Sequence, residues 1–305
     1  MDVLTNAFFY CVYQKNVVPL HVKNKFRSRT MKHLLSIVLI AMVCIGCEPI
    51  NIESGKNDGR YFFSVSDYEK VVFSPGNLQY HIGQKEWRFA ENQTDFLNRA
   101  LVNPTDTFTG WIDSFCWSRT NCKYGLTKVS SNNNSLDDFV DWGNNKIGND
   151  APYTWRTLAG EEWYYLCSVR TNAQELFGIA QVNGVNGTIL LPDGWECPDG
   201  IDFKPGLYEE HYNYPDESYF AMHQTFPLEQ WRKMENAGAI FLPNAGIRVG
   251  KNVYNPHGAG CYWSSTRGSN LTACSYEFGG ISVATGIINE MHKDARSVRL
   301  VKNCK

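Results

Sequence analysis

Short alternating runs of apolar and polar residues dominate this chain, and helical spacing surfaces only twice. Residues 61–66 and 70–74 read as two strands around a turn, with Phe63, Val65, Val71 and Phe73 carrying the apolar pattern. Pro75-Gly76-Asn77 is a turn signal, and strands are expected over 78–82 and 87–90. Residues 91–152 are rich in Asn, Asp, Ser and Thr and read mostly as loop, with 130–135 the most exposed. Thr157, as a cap residue, and the early acids Glu161 and Glu162 open an amphipathic helix of about three turns. Trp163, Leu166 and Cys167 share its apolar face, and it ends near 168–172. Residues 180–191 form a hairpin whose turn falls within Gly184, Asn186 and Gly187. Residues 198–224 read as loop. A second helix spans 227–237 with Trp231 and Met234 inward, and residues 238–243 make a buried strand. Neither an internal repeat nor a coiled coil is apparent.

The beginning of the chain carries a different pattern. Lys32 and His33 precede an apolar run from Leu34 to Gly46. That run is shorter than the ~20 residues a bilayer-spanning helix needs, so 31–46 reads as a signal peptide. It ends in Ile45-Gly46-Cys47, which resembles the lipobox of bacterial lipoproteins, with Cys44 where Leu is usual. The resemblance implies that Cys47 is acylated on its thiol and begins the mature protein. Residues 1–30 fit poorly ahead of such a signal and read as a mis-called extension before Met31. Residues 47–60 are polar and read as a tether, and 61–305 as one domain.

Composition narrows the function classes. A net charge of −2 offers no electrostatic case for nucleic acid. Aromatic residues make up 14% of the chain, which suits both a loop-rich aromatic core and rigid binding faces. Beyond Cys47 stand Cys116, Cys122, Cys167, Cys197, Cys261, Cys274 and Cys304, an odd set, so at least one thiol lacks an intramolecular partner. Cys116 and Cys122 are spaced to close a small loop. No Cys or His cluster has zinc spacing, and neither a metal nor a cofactor is expected.

The order of several short motifs resembles a family of Bacteroidetes surface lipoproteins with a C-type-lectin-like fold. They are distant relatives of the formylglycine-generating-enzyme-like domain and the Fibrobacter major paralogous domain. The fragments that carry the resemblance include Phe73-Ser74-Pro75-Gly76-Asn77-Leu78, Trp87-Arg88-Phe89-Ala90, Asp141-Trp142-Gly143 and Trp155-Arg156-Thr157-Leu158. Later ones are Leu190-Leu191-Pro192-Asp193-Gly194-Trp195, Phe241-Leu242-Pro243, Tyr262-Trp263-Ser264-Ser265-Thr266 and Ser297-Val298-Arg299-Leu300-Val301. Residues 114–118 lack the glycines expected around Trp117, and Ala295 stands where Gly is commoner. The resemblance implies an α+β fold of short twisted antiparallel strands, two amphipathic helices and much ordered loop. Some proteins of this fold are targets of diversity-generating retroelements, whose variable segment lies between a Trp-Ser-Ser element and a C-terminal Arg-containing strand. Here that segment is 267–292.

Trp263, Ser264, Ser265 and Arg299 are therefore expected to be scaffold, with the serine hydroxyls bonding backbone and Arg299 securing the terminal strand to a carbonyl or carboxylate. Candidate ligand-binding positions lie between them: Arg267, Asn270, Ser275, Glu277, Ser282, Asn289, Glu290 and His292. Strand alternation places Ser275 and Glu277 outward if Ala273, Tyr276 and Phe278 face the core, which requires a bulge between Ala273 and Tyr276, and places Ser282 outward with Ile281 and Val283 inward. Mixed charge and hydroxyls suit a protein or glycan ligand. Catalysis is the lesser expectation. Formylglycine-type chemistry needs two late, closely spaced cysteines, and only Cys261 and Cys274 stand in place; a disulfide or a buried thiol is preferred for them. Ser264, Ser265, His257 and His292 lack a nucleophile elbow. Asp137, Asp138, Asp141, Asn144, Asn145, Asn149 and Asp150 are dense but lack calcium-loop spacing, and read as solvated loop residues. The resulting expectation is an exported, lipid-anchored recognition protein at the outer membrane, with a folded part long enough for one large domain or two small ones and read as one. A formylglycine-type oxidase and a structural or fimbrial surface subunit are the alternatives.

Overall fold

The computed structural model describes residues 56–57, 60–97, 108–117, 139–206, 218–250, 252–269, 271–279 and 286–304. All belong to one compact unit, Asn51–Lys305. The expectations for Cys47, for the signal peptide, and for Cys122, Asp137, Asp138, Asn270 and Ser282 lie outside the described residues. The described architecture is mixed α+β, mostly strands with few helices. No helix among the described residues is long and apolar enough to cross a membrane.

Strands β1 (Lys56–Asn57) and β2 (Arg60–Tyr61) pair with each other. Strand β3 (Phe63–Ser64) pairs antiparallel with β4 (Lys70–Phe73), in which Val71 and Phe73 are buried and Lys70 is exposed. The last strand, β18 (Leu300–Asn303), lies between β4 and β8 (Arg156–Thr157). Val301 sits opposite Phe73, and Leu300 opposite Thr157. The C-terminus therefore closes a sheet begun at the start of the domain. Strands β5 (Leu78–His81) and β6 (Glu86–Phe89) form the expected hairpin, and β7 (Trp111–Ile112) adds to it from the polar stretch read as loop.

Helix α1 (Gly160–Tyr164) starts later than the cap reading of Thr157. Thr157 belongs to β8, where its N–H and hydroxyl both donate to the Asp141 carboxylate, at 2.9 and 3.0 Å. The helix start is instead closed by Glu162, which accepts the Ala159 N–H at 2.7 Å and holds Arg156 through both carboxylate oxygens. After Tyr164 the coil widens into a π-helical turn, Tyr165–Val169. Trp163, Leu166 and Cys167 are buried, as the apolar face requires.

Strands β9 (Phe177–Val182) and β10 (Val185–Leu190) form the next hairpin. Its turn is Asn183-Gly184, both with positive φ (48° and 80°), the backbone of a two-residue primed turn. Asn186-Gly187, read as part of the turn, lies inside β10. Asn186 is buried, accepts from Gln181 Nε2 and donates to the His257 carbonyl, each at 3.1 Å. Gly187 has no room for a side chain, since a Cβ there would come within 2.4 Å of the Phe241 ring.

A short helix, α2 (Ser218–His223), stands where loop was expected, and its Phe220 buries completely. Strand β11 (Thr225–Phe226) runs parallel to β9. Helix α3 (Leu228–Asn236) buries Trp231 and Met234. Strand β12 (Ile240–Pro243) pairs with β10, and β13 (Ile247–Val249) with β14 (Asn252–Tyr254).

Three apolar clusters result. Phe63, Phe73, Trp163, Tyr262, Tyr276 and Phe278 build the first, and Trp87, Phe115, Trp117, Trp142 and Trp263 build the second. The third lies under α3 around Trp231 and Phe241. Consecutive residues Tyr262 and Trp263 enter different clusters, so the C-terminal sheet is covered on both faces.

Candidate binding surface on the C-terminal sheet

The C-terminal sheet joins β15 (Ala259–Arg267), β16 (Thr272–Gly279) and β17 (Gly286–Met291), all antiparallel. Strand β16 keeps a regular period of two. Ala273, Ser275 and Glu277 share one face with Trp263, while Cys274, Tyr276 and Phe278 share the other with Tyr262. The bulge anticipated in β16 is absent, because Ala273 packs against the second cluster rather than beside Tyr276. The irregularity sits on β15, which advances from Trp263 to Arg267 while β16 advances only from Ser275 to Ala273.

That irregular stretch is pinned by the Trp-Ser-Ser element. Trp263 Nε1 donates to the Phe115 carbonyl at 2.6 Å, and its N–H donates to Ser297 at 3.0 Å. Ser264 Oγ donates to the Cys274 carbonyl at 2.7 Å and accepts the Thr266 N–H. The Ser265 N–H donates to the Leu158 carbonyl at 2.9 Å. Thr266 Oγ1 accepts the Gly160 N–H and donates to Glu161, which ties β15 to the start of α1.

The candidate positions separate into three groups. On the Trp263 face, Ser275, Glu277 and Glu290 come together around Arg296, a residue the sequence reading passed over. Arg296 is 1% exposed, and its guanidinium lies over the Trp263 ring at 4.8 Å. Arg296 Nη2 meets Glu290 at 2.7 Å, and Nε stands 3.7 Å from Glu277. The two carboxylates are only 20% and 29% exposed, so both are spent chiefly on compensating a buried charge. Burial raises the Glu277 carboxyl above its ordinary range; Arg296 opposes the rise and Glu290 adds to it. Ser275 is buried and donates to Glu277 at 3.4 Å, which corrects its outward placement: both faces of β16 are covered, so alternation has no solvent side there.

His292 is also corrected. It is buried, with its ring stacked on Trp117 at 4.5 Å. Its N–H donates to the Leu271 carbonyl, and its own carbonyl accepts the Trp117 N–H. The chain turns inward directly after β17, which carries the imidazole into the second cluster.

Arg267 and Asn289 form the accessible remainder. Arg267 ends β15, half-buried, with Nε donating to the Ser269 carbonyl at 3.2 Å. Exposed Ser269 and half-buried Thr272 close the adjoining turn through their backbones and hydroxyls. Asn289 is exposed on the Cys274 face, where its Oδ1 accepts from the Cys274 thiol at 3.4 Å.

Arg299 is fully buried and solves its desolvation differently. Nη2 donates to Gln93 at 2.6 Å and Nη1 to Asn77 at 3.4 Å, with the Phe241 carbonyl at 3.5 Å. Burial lowers its pKa to about 10. Gln93 in turn donates to Glu235 at 2.8 Å. Neutral acceptors thus replace the carboxylate that was one of its two expected partners.

The alternative chemistries find little support in this geometry. Cys261 aligns with Glu277 and Cys274 with Asn289, so the two thiols lie on opposite faces of the sheet, and neither is in a disulfide. Burial, then Glu277, pushes the Cys261 thiol well above its ordinary value; burial, then Glu161, raises Cys274. Both environments suppress the thiolate that nucleophilic chemistry requires. Asp141 is occupied by Gly143 and Thr157, and Asp150 by Trp155 Nε1, rather than standing solvated. Among the described residues no group of three or more metal-capable side chains converges. Comparison with family models, with curated proteins and with solved structures found no match for this chain.

Proposed function

We propose that the protein is an exported, lipid-anchored recognition protein of C-type-lectin-like fold. It binds a protein or glycan ligand at the open end of its C-terminal sheet. The observation that carries this reading is the contrast within that sheet. Trp263, Ser264 and Arg296 hold it through buried bonds and Arg299 fixes the start of the strand that follows, while Arg267, Ser269 and Asn289 at its end retain access to solvent. A frame fixed independently of its accessible positions tolerates change at those positions. The same contrast agrees with a segment diversified by a retroelement between Trp263 and Arg299. The lipobox-like Ile45-Gly46-Cys47 supports export and lipid attachment through Cys47. The opposed placement of Cys261 and Cys274 weighs against the formylglycine-type oxidase.

The test is an array of cell-surface glycans and proteins probed with the native chain and with Arg267→Ala/Asn289→Ala. A ligand whose binding falls about ten-fold in the variant, with unchanged melting temperature, supports the reading. Identical binding profiles for the two proteins contradict it. Anchoring is tested separately: labelled palmitate should be incorporated into the native chain and lost in Cys47→Ser. A reverse transcriptase gene beside a near-copy of the codons for 262–301, differing at adenines, would establish diversification.

A further inference from the structure

A cleft of about 430 Å³ lies between the β5–β6 hairpin, residues 91–97, the β9–β10 turn and His257. Its volume lies in the range of small-ligand sites. One wall is charged. Arg88 Nε donates to Gln79 Oε1 at 2.8 Å, and its guanidinium lies 3.8 Å over the Trp111 ring, so the plane of the fork is fixed from two sides. Gln79, which holds it, is itself buried. Arg88 and Glu91 are both exposed, and among the described residues the terminal nitrogens of Arg88 and the Glu91 carboxylate make no protein hydrogen bond or ion pair, so both present their polar atoms to solvent. Asp95 uses one oxygen for the Asn92 N–H and side-chain amide. Apolar groups also line it: Phe96 packs edge-on to His257 at 5.2 Å, and Leu97 and Val185 contribute to the lining.

We propose that this cleft binds a neutral saccharide. Among the described residues, one cation lines the cleft with two carboxylates: Glu91 and Asp95 oppose an anionic ligand, and Arg88 opposes a cationic one. A neutral polyol satisfies both signs. Adjacent hydroxyls each accept from the guanidinium fork and donate to a carboxylate, bonds that are stronger than neutral ones. The C–H face of a sugar ring then covers Phe96 and Val185. A peptide backbone offers alternating single donors and acceptors and matches the paired forks less well. This inference is independent of the reading for the C-terminal sheet.

Titration calorimetry with maltotetraose, cellotetraose and mannotetraose tests it, with trigalacturonate and a lysine tripeptide as charged comparators. At least one neutral tetrasaccharide should bind. Glu91→Ala should weaken that binding about ten-fold, and Arg88→Lys, which keeps the charge but loses the fork, should do likewise. Glu91 is exposed, so its variant keeps the test valid if Arg88→Lys fails to fold. Arg267→Ala/Asn289→Ala should leave the saccharide isotherm unchanged, which separates this site from the sheet. The proposal is overturned if no neutral tetrasaccharide binds, if Glu91→Ala binds as well as the native chain, or if a charged comparator binds more tightly.

Discussion

Two arginines three positions apart, Arg296 and Arg299, show how differently a buried guanidinium can be accommodated. Arg299 relies on amide and carbonyl oxygens, Arg296 on Glu277 and Glu290. Arg299 was legible in the sequence as a charge set among Val298, Leu300 and Val301. Arg296 was not, because its carboxylates arrive from β16 and β17 and only the strand register brings them near. The same register turned Glu277 and Glu290 from apparent ligand contacts into counter-ions. Replacing both by Gln leaves Arg296 buried without compensation and should cost about 3–5 kcal/mol in urea unfolding. A loss below about 1 kcal/mol would show that Arg296 is solvated in solution. A second residue-scale prediction concerns Asp113, whose carboxyl burial raises to about 6, against the Leu97 N–H and Arg248. The folded chain then holds a proton that an unfolded carboxyl, near 3.9, has released. Stability contributed by this group is therefore greatest below about pH 4, falls as pH rises to about 6 and is level above. Glu277, also raised, acts in the same direction. The stability of Asp113→Asn relative to the native chain should accordingly drop on acidification from pH 7 to pH 4, by an amount of order 1–3 kcal/mol. A pH-independent difference would place Asp113 in contact with water.

At the scale of elements, periodicity recovered β3 to β6, α3 and the buried face of α1, and it failed where both faces of an element are covered. In β16 the run Ala273-Cys274-Ser275-Tyr276-Glu277-Phe278 looked out of phase because a single apolar side was assumed. Two packed sides make it regular. Helix α2 escaped notice because its six residues, Ser218–His223, are too few to show a helical period. The β9–β10 turn was displaced by a second Asn-Gly pair at 186–187, and only the positive φ at Asn183 and Gly184 distinguishes them. Gly184→Ala should cost about 1–2 kcal/mol through the left-handed backbone alone, measurable by chemical denaturation. Trp163 stacks on Tyr276 at 5.4 Å and touches Phe73 and Phe278, joining α1 to the C-terminal sheet. Trp163→Ala should destabilise by about 3–5 kcal/mol. A much smaller change would mean that α1 is not integral to the first cluster.

Across the whole molecule, the C-terminal strand inserts between β4 and β8, and the sheet just before it is covered by two apolar clusters. Under the proposed function, stability and recognition fall to different residues of one segment. The sequence motifs marked the frame, since Trp263, Ser264 and Arg299 all make buried bonds. They were silent on which intervening positions remain accessible, because accessibility is set by strands and helices distant in the chain. The most direct measurement combines Arg267→Ala, Ser269→Ala and Asn289→Ala in one protein and records its melting temperature alongside its ligand profile. The account predicts a melting temperature within about 4 °C of the native value and the loss of at least one native ligand. A collapsed fold, or an intact fold with an unchanged profile, would contradict it.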